Sequence, residues 1–403
     1  MVQPKRVLIT GGNTGIGLEA ARQLVQSGHH VAIACRDAKR AEAAVESLRP
    51  LAAGTGATVE WLPLDLASLG SVRACAAEYL KRHPRLDVLL CNAGLMPGAA
   101  VGGPVRRTGD GQEEALQVNH LGHFLLVHLL LPALLPPTGA GAVATAASAD
   151  GGPAPAPAPA RVVVVSSELH RKAGAEARVA LPGGSRGAVA LGSAAWLELL
   201  GAGGAGEEGE GKEGKAGDKA GEGEGPLDRY PMTGLQLYCV SKLYNALFAR
   251  RLAALLLPAV TACAVTPGWV PGTSLGRGAG WLARTVYQYI FPLLPMTVSV
   301  AEGGRRVVAA CVGEQAGAAA ARGGYFARGA LAEASPEARD DALAAAVWAA
   351  SEAAAGIAPG GYLPSGVEAG AKAEGVTAEA GAGAEAAARE EGAGGLNAKA
   401  GGG

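Results

Sequence analysis

Six apolar runs of strand length recur along this chain: RVLIT (Arg6–Thr10), HVAIAC (His30–Cys35), TVEWLPL, LDVLLC, RVVVVSS and TACAVTPG. Helix-patterned stretches separate them, over Glu19–Gln26, Lys39–Leu48, Ser68 to Lys81, Glu113–Leu135, and the segment LYCVSKLYNALFARRLA that begins at Leu237. Asp65 and Ser68 are candidate caps for the third helix. Strands this uniformly apolar must be covered on both faces, and strands that alternate with helices pair in parallel through helical crossovers. The expected fold class is α/β, a doubly wound parallel sheet.

Three tracts break the rhythm. About 136–160 is rich in Pro and Ala, roughly 174–225 is mostly Gly, Ala, Glu and Lys, and the chain beyond about 366 is Gly/Ala/Glu again. Such segments carry too little apolar surface to offset an ordering entropy of ~1–2 kcal/mol per residue. The reading is one domain over 1–365 with disordered insertions at 136–160 and 174–225, and a disordered tail over 366–403. Long loops between elements add little closure cost, so such a domain tolerates them.

Charge and cysteine usage narrow the partners. Lys plus Arg (35) nearly balances Asp plus Glu (36), so no overall field favours nucleic acid. The six cysteines lack C-x-x-C spacing and lie mostly in apolar runs, which suits a reducing compartment and argues against a disulfide framework or zinc. The first strand starts too early to leave room for a signal or transit peptide, so a cytoplasmic location is expected. The tract 281–298 is apolar but broken by Arg284, Gln288, Pro292 and Pro295. It is too short to span a bilayer, though it could lie on one.

TGGNTGIG (Thr10–Gly17) closes the first strand and opens the first helix. Gly11, Gly15 and Gly17 let the backbone approach a pyrophosphate at the helix N-terminus, the arrangement of a Rossmann dinucleotide site, with Asn13, Thr14 and Ile16 in the same turn. A glycine motif alone is weak, but strand before and helix after is the required context. At the end of the second strand, an acid would hold a free ribose hydroxyl. The sequence has ACRDAKR instead: Cys35 occupies that place, and Arg36 with Lys39 or Arg40 offers cations to a 2′-phosphate. NADP(H) is thus preferred over NAD(H). A solvated charge cluster is the alternative, and Asp37 could neutralise Arg36 in part.

Tyr238 and Lys242 are four apart and share a helix face. A phenol titrates near ~10, and a neighbouring ammonium lowers that value by favouring the phenolate. The pair suits proton exchange between an alcohol and a carbonyl, although an exposed helix face explains most such pairs taken singly. His120 and His123 could suggest metal ligands, but no Cys or carboxylate completes a site, and no metal is expected. Cys239 points away from the Tyr/Lys face and reads as core.

With TGGNTGIG, LDL (Asp65, Leu66), NAG (Asn92, Ala93, Gly94), QVNHLGHF, VVVVSSELH, YCVSK and TPG in order, the chain resembles the short-chain dehydrogenase/reductase superfamily from Val7 to about Ile357. ACRD, SSELHR, YCVSKLYNALF and GGYFARGALAEASPEA resemble its retinol dehydrogenase and WW-domain oxidoreductase branch, with no WW domain ahead of the first strand. The resemblance implies Tyr238 as general acid or base, with Lys242 lowering its pKa and binding the nicotinamide ribose. It implies Ser167 on the substrate oxygen and Asn119 anchoring a water that links Lys242 to solvent. Asp65 would contact the adenine, Asn92 would line the cleft, and Pro267 and Gly268 would border the nicotinamide. Thr266 departs from the His or Asn usual before Pro-Gly, and the following threonine is displaced to Thr273.

The expected function is NADP(H)-dependent interconversion of an alcohol and a carbonyl on an apolar small molecule such as a retinoid, sterol or long-chain or aromatic aldehyde. The alternatives are double-bond reduction of the protochlorophyllide reductase kind, or a non-catalytic NADP-binding scaffold or redox sensor. A homodimer is an open expectation. The tract 281–298 falls where this branch builds a substrate flap.

Overall fold

The computed structural model describes residues 3–97, 106–136, 158–173, 178–179, 189–190, 234–271, 297–314, 317 and 322–361. The tail, most of both insertions, Thr273 and all but the last two residues of the 281–298 tract lie outside these residues. Within the second insertion, Arg178–Val179 and Val189–Ala190 pair as a two-residue antiparallel ladder.

The sheet is built from β1 (Arg6–Thr10), β2 (His30–Cys35), β3 (Val59–Pro63), β4 (Val88–Cys91), β5 (Ala160–Val165), β6 (Val260–Val265), β7 (Tyr325–Ala327) and β8 (Ala330–Ala332). Their spatial order is β8-β7-β6-β5-β4-β1-β2-β3, and every pair is parallel except β7 with β8. The doubly wound sheet is as expected, but the C-terminal hairpin is an addition. Its runs are three residues each, too short for a period-of-two signal. At its turn, Arg328 and Gly329 have φ of 54° and 82°, the geometry of a two-residue hairpin turn.

Side chains alternate across the sheet and create two cores. Leu8, Leu62, Leu89, Val162 and Val164 face α3 (Leu69–Arg82), α4 (Gly122–Leu134), α5 (Gly234–Leu256) and α7 (Asp341–Ala354). Val7, Ile9, Ile33, Leu90 and Val163 face α1 (Gly15–Gln26), α2 (Ala38–Ala53) and α6 (Val300–Val312). Of the two candidate caps, Ser68 holds α3, its Oγ accepting from Ser71 N at 3.2 Å. Asp65 caps only the preceding turn, accepting from Ala67 N at 3.0 Å.

The expected helix over Glu113–Leu135 forms, with one irregularity. From Glu114 to Leu134 the chain is helical, as a turn of α-helix over Glu114–Leu116, a π-helical turn over Gln117–Leu121, and then α4. Apolar periodicity does not register a single extra residue per turn, so the sequence reads the whole as continuous. Gly122 shows what the turn accommodates: a Cβ there would lie 2.9 Å from the Leu66 carbonyl oxygen, so the helix enters against the LDL loop.

Strand order reverses between β1 and β4, and the crevice above that point, at the carboxyl ends of the strands, is where an open α/β sheet places its ligand.

Candidate active site

That crevice is a cleft of about 1640 Å³. It is lined by Gly11, Asn13, Thr14, Gly15, Ile16 and Gly17 from the β1–α1 turn, by Arg36 and Arg40 after β2, and by Asp65 and Leu66 after β3. Asn92, Ala93 and Gly94 line it after β4, Ser167 after β5, Tyr238 and Lys242 from α5, and Pro267 and Gly268 after β6. Of the four expected catalytic residues, Asn119 alone is outside the lining among the described residues. It is fully buried behind the wall.

The glycine turn is shaped for close approach. Gly11 and Gly15 have φ of 67° and 56°, which side-chain-bearing residues rarely adopt. A Cβ on Gly17 would sit 2.5 Å from both Asn92 Nδ2 and the Gly11 carbonyl oxygen. Thr14, extended, precedes α1, so the helix N-terminus opens into the cleft. These residues fit a dinucleotide: backbone N–H groups and the helix dipole meet the phosphates where no side chain intrudes.

After β2 the charged side chains divide between local partners and the cleft. Arg40 donates to Asp37 through its backbone N (2.9 Å) and its Nε (2.7 Å). Asp37 is the N-cap of α2, and these bonds, the backbone one foremost, hold its carboxyl below the usual range. Asp37 is therefore engaged chiefly by Arg40, with Arg36, the partner the sequence suggested, a lesser influence on it, and both arginines line the cleft. Lys39 does not line it.

At the chemical end, Tyr238 is 8% exposed and Lys242 is 3% exposed. Lys242 Nζ lies 5.4 Å from the Tyr238 ring centroid and donates to the Val165 carbonyl at 3.0 Å. Burial pulls the ammonium down to about 8. Ser166 Oγ donates to the Lys242 carbonyl at 2.7 Å, which ties α5 to the end of β5. Ser167 instead caps the following 3-10 turn, its Oγ accepting from Leu169 N at 3.2 Å. Adjacent serines thus take different jobs because successive residues of an extended strand point to opposite sides. Thr266 Oγ1 accepts from Gly268 N at 3.2 Å, so the threonine that replaces the usual His or Asn closes the Pro-Gly turn itself.

Asn119 acts as a brace. Its Oδ1 accepts from Leu95 N (2.8 Å), and its Nδ2 donates to the Leu95 carbonyl (2.9 Å) and to Ser241 Oγ (2.9 Å). A Cβ on Gly94 would fall 3.2 Å from Asn119 Oδ1 and 3.4 Å from Lys242 Nζ, so glycine there lets the two groups share one wall.

The joint made by Thr10 and His123 escaped the sequence reading. His123 Nδ1 lies 3.1 Å from the Asn119 carbonyl and its Nε2 lies 2.8 Å from Thr10 Oγ1. Burial keeps this ring neutral, its pKa down at about 4. A carbonyl only accepts, so Nδ1 carries the proton and Nε2 accepts from the Thr10 hydroxyl. Thr10 Oγ1 in turn accepts from Asn92 N (2.9 Å) and Ala93 N (3.0 Å). One hydroxyl thereby joins the glycine turn, the NAG loop and the π-turn. His120 is likewise engaged, with Nε2 2.8 Å from Ser351 Oγ. Thr10 closes a strand and His123 sits in a greasy helix, so the only signal was a polar residue at a core position.

Thr10→Val keeps the shape and removes these bonds. Two partly buried N–H groups left unpaired should cost on the order of 1–3 kcal/mol. Urea denaturation should show that loss together with weakened cofactor binding, and Thr10→Ser should restore both. Equal stability for Thr10→Val would refute the joint.

A family model for short chain dehydrogenase matches residues 5–160. The chain is 33% identical over 366 residues to dehydrogenase/reductase SDR family member 13 of Bos taurus, covering 88% of this chain and 74% of that protein. It is 32% identical over 352 residues to WW domain-containing oxidoreductase of Danio rerio, covering 86% and 68%, and 39% identical over 183 residues to human retinol dehydrogenase 14, covering 42% and 47%. The crystal structure of an uncharacterized protein from Mycobacterium paratuberculosis superposes with a TM-score of 0.53 at 27% identity, over 88% of this chain and 94% of that one. The chain belongs to the short-chain dehydrogenase/reductase family of oxidoreductases. Its similarity lies with the retinol dehydrogenase-like branch. Among the described residues, no helix is long and apolar enough to cross a membrane.

Proposed function

We propose that this protein is an NADP(H)-dependent oxidoreductase that interconverts an alcohol and a carbonyl on an apolar small molecule. The observation that carries the reading is the convergence of Tyr238, Lys242 and Ser167 on the same cleft as the glycine turn. In the reducing direction, the Tyr238 hydroxyl donates its proton to the substrate oxygen. The Lys242 ammonium, held by the Val165 carbonyl, stabilises the phenolate left behind. Ser167 Oγ hydrogen-bonds the same substrate oxygen and orients it. In oxidation the tyrosinate takes the proton back. The nicotinamide, when bound, supplies or accepts the hydride.

The cleft is also lined by Leu95, Met96, Leu169, Leu235 and Trp269, which supports an apolar substrate. Likeness to retinol dehydrogenase 14 over part of the chain supports a retinoid or a comparable long-chain aldehyde. Arg36, with Asp37 engaged chiefly by Arg40, supports NADP(H).

The test is loss of reduced-cofactor absorbance with NADPH and NADH separately, across all-trans-retinal, aliphatic and aromatic aldehydes, and steroid ketones. Turnover with NADPH is expected. Arg36→Ala should weaken NADPH by about tenfold and leave NADH nearly unchanged, because only the former carries the 2′-phosphate. NADPH binding without turnover of any carbonyl would shift the reading to a cofactor-binding sensor.

A further inference from the structure

We propose that Arg306 on α6 binds the diphosphate of the dinucleotide, an inference that rests on the dinucleotide reading above. Its guanidinium lines the cleft, yet it belongs to none of the motifs that mark the site in sequence.

Placement comes first. The opening of α6 packs directly on α1: a Cβ on Gly303 would lie 3.7 Å from both Ile16 Cγ1 and Pro267 Cβ, and one on Gly304 would lie 2.5 Å from Glu19 Cγ. Two successive glycines thus bring α6 against the start of the glycine-turn helix. Arg306 is three residues beyond Gly303, on the same side of the helix. Helical side chains lean back toward their own N-terminus. Arg306 does so, since its Nε donates to Glu302 Oε1, four residues earlier, at 2.8 Å, and its Nη1 reaches the Pro267 carbonyl at 3.4 Å. The guanidinium therefore stands beside the Pro-Gly turn, one helical turn from the Gly303 position that packs on Ile16 at the start of α1, the helix end where an anion is favoured.

Charge comes second. Glu302 also takes Arg305, with Nη1 to Oε2 at 2.5 Å. One carboxylate between two guanidinium groups leaves a net positive charge. Arg305 is outside the cleft lining with its side chain 70% exposed, whereas the Arg306 side chain is 17% exposed. The surplus charge that faces the cleft is that of Arg306. Among the described residues only its Nε and Nη1 are engaged, so Nη2 is available to a phosphate oxygen. A guanidinium fork suits phosphate oxygens, and partial shielding from water strengthens the contact.

The test is equilibrium binding by calorimetry or competition, with NADPH, ADP-ribose and 2′-AMP as probes. ADP-ribose has the diphosphate without nicotinamide or 2′-phosphate, and 2′-AMP has no diphosphate. Arg306→Gln should weaken NADPH and ADP-ribose by about tenfold and leave 2′-AMP unchanged. Arg305→Gln, which removes the same charge outside the cleft, should leave all of them at wild-type affinity. Arg306→Lys retains the charge and most of the volume but lacks the fork, and about threefold weaker ADP-ribose binding is expected for it. This variant carries the test if Arg306→Gln fails to fold. Wild-type affinity for ADP-ribose in either Arg306 variant would overturn the proposal, as would an equal loss of 2′-AMP. A wild-type protein that bound neither NADPH nor ADP-ribose would instead overturn the dinucleotide reading itself.

Discussion

Tyr238→Phe is expected to lower kcat for carbonyl reduction by about 10²–10⁴-fold, the range for a positioned general acid, and to change cofactor affinity by less than about twofold. The substitution removes one oxygen. The ring sits on α5, whose face is packed against the sheet, so the fold loses little. What goes is the only phenolic hydroxyl among the described cleft-lining residues. Steady-state kinetics with NADPH and the best aldehyde, beside a cofactor titration, make the comparison. A variant with unchanged kcat would remove Tyr238 from the chemistry and leave the cleft as a binding site.

Lys242→Met should have opposite effects on activity and stability. Turnover should fall by at least about 10²-fold, because the phenolate loses the cation that stabilises it. Stability at pH 7 should nonetheless rise. Lys242 is buried, and burial takes it from the ordinary lysine value of 10.5 down to about 8. Between those values the unfolded chain binds more protons than the folded one, so the wild type gains stability as pH rises from 8 to 10.5. Below pH 8 it carries the full cost of a buried ammonium, on the order of 3 kcal/mol before its bond to the Val165 carbonyl is counted. Met fills the space without the charge. Its thermal midpoint should exceed the wild type's by several degrees at pH 7, and the gap should close as pH approaches 10.5. A Lys242→Met protein less stable than wild type across that range would mean that the Val165 bond outweighs burial.

Most of the site was legible because its signals are local. A strand that ends in TGGNTGIG and runs into a helix carries its own geometry, and a Tyr and a Lys four apart meet on any helix. Other features depend on partners far along the chain. Thr10 and His123 are 113 residues apart, and nothing near either one announces the bond. The π-turn around Asn119 is hidden by unbroken apolar periodicity, yet it sets the Asn119 side chain against Leu95 and Ser241. Asp37 could serve Arg36 or Arg40 by spacing alone. The N-cap geometry of α2 gives it to Arg40, since the same carboxylate already accepts the Arg40 backbone N–H.

The sequence by itself determined the α/β alternation, the glycine turn and the Tyr/Lys pair, each of which is encoded within a few residues of periodicity or turn chemistry. Only the tertiary structure decided which cations face the cleft, how Asn119 is spent, and that α6 brings Arg306 beside the glycine turn. Those outcomes depend on close approaches, such as Gly303 against Ile16 and Gly122 against Leu66, that exist only once the layers have packed.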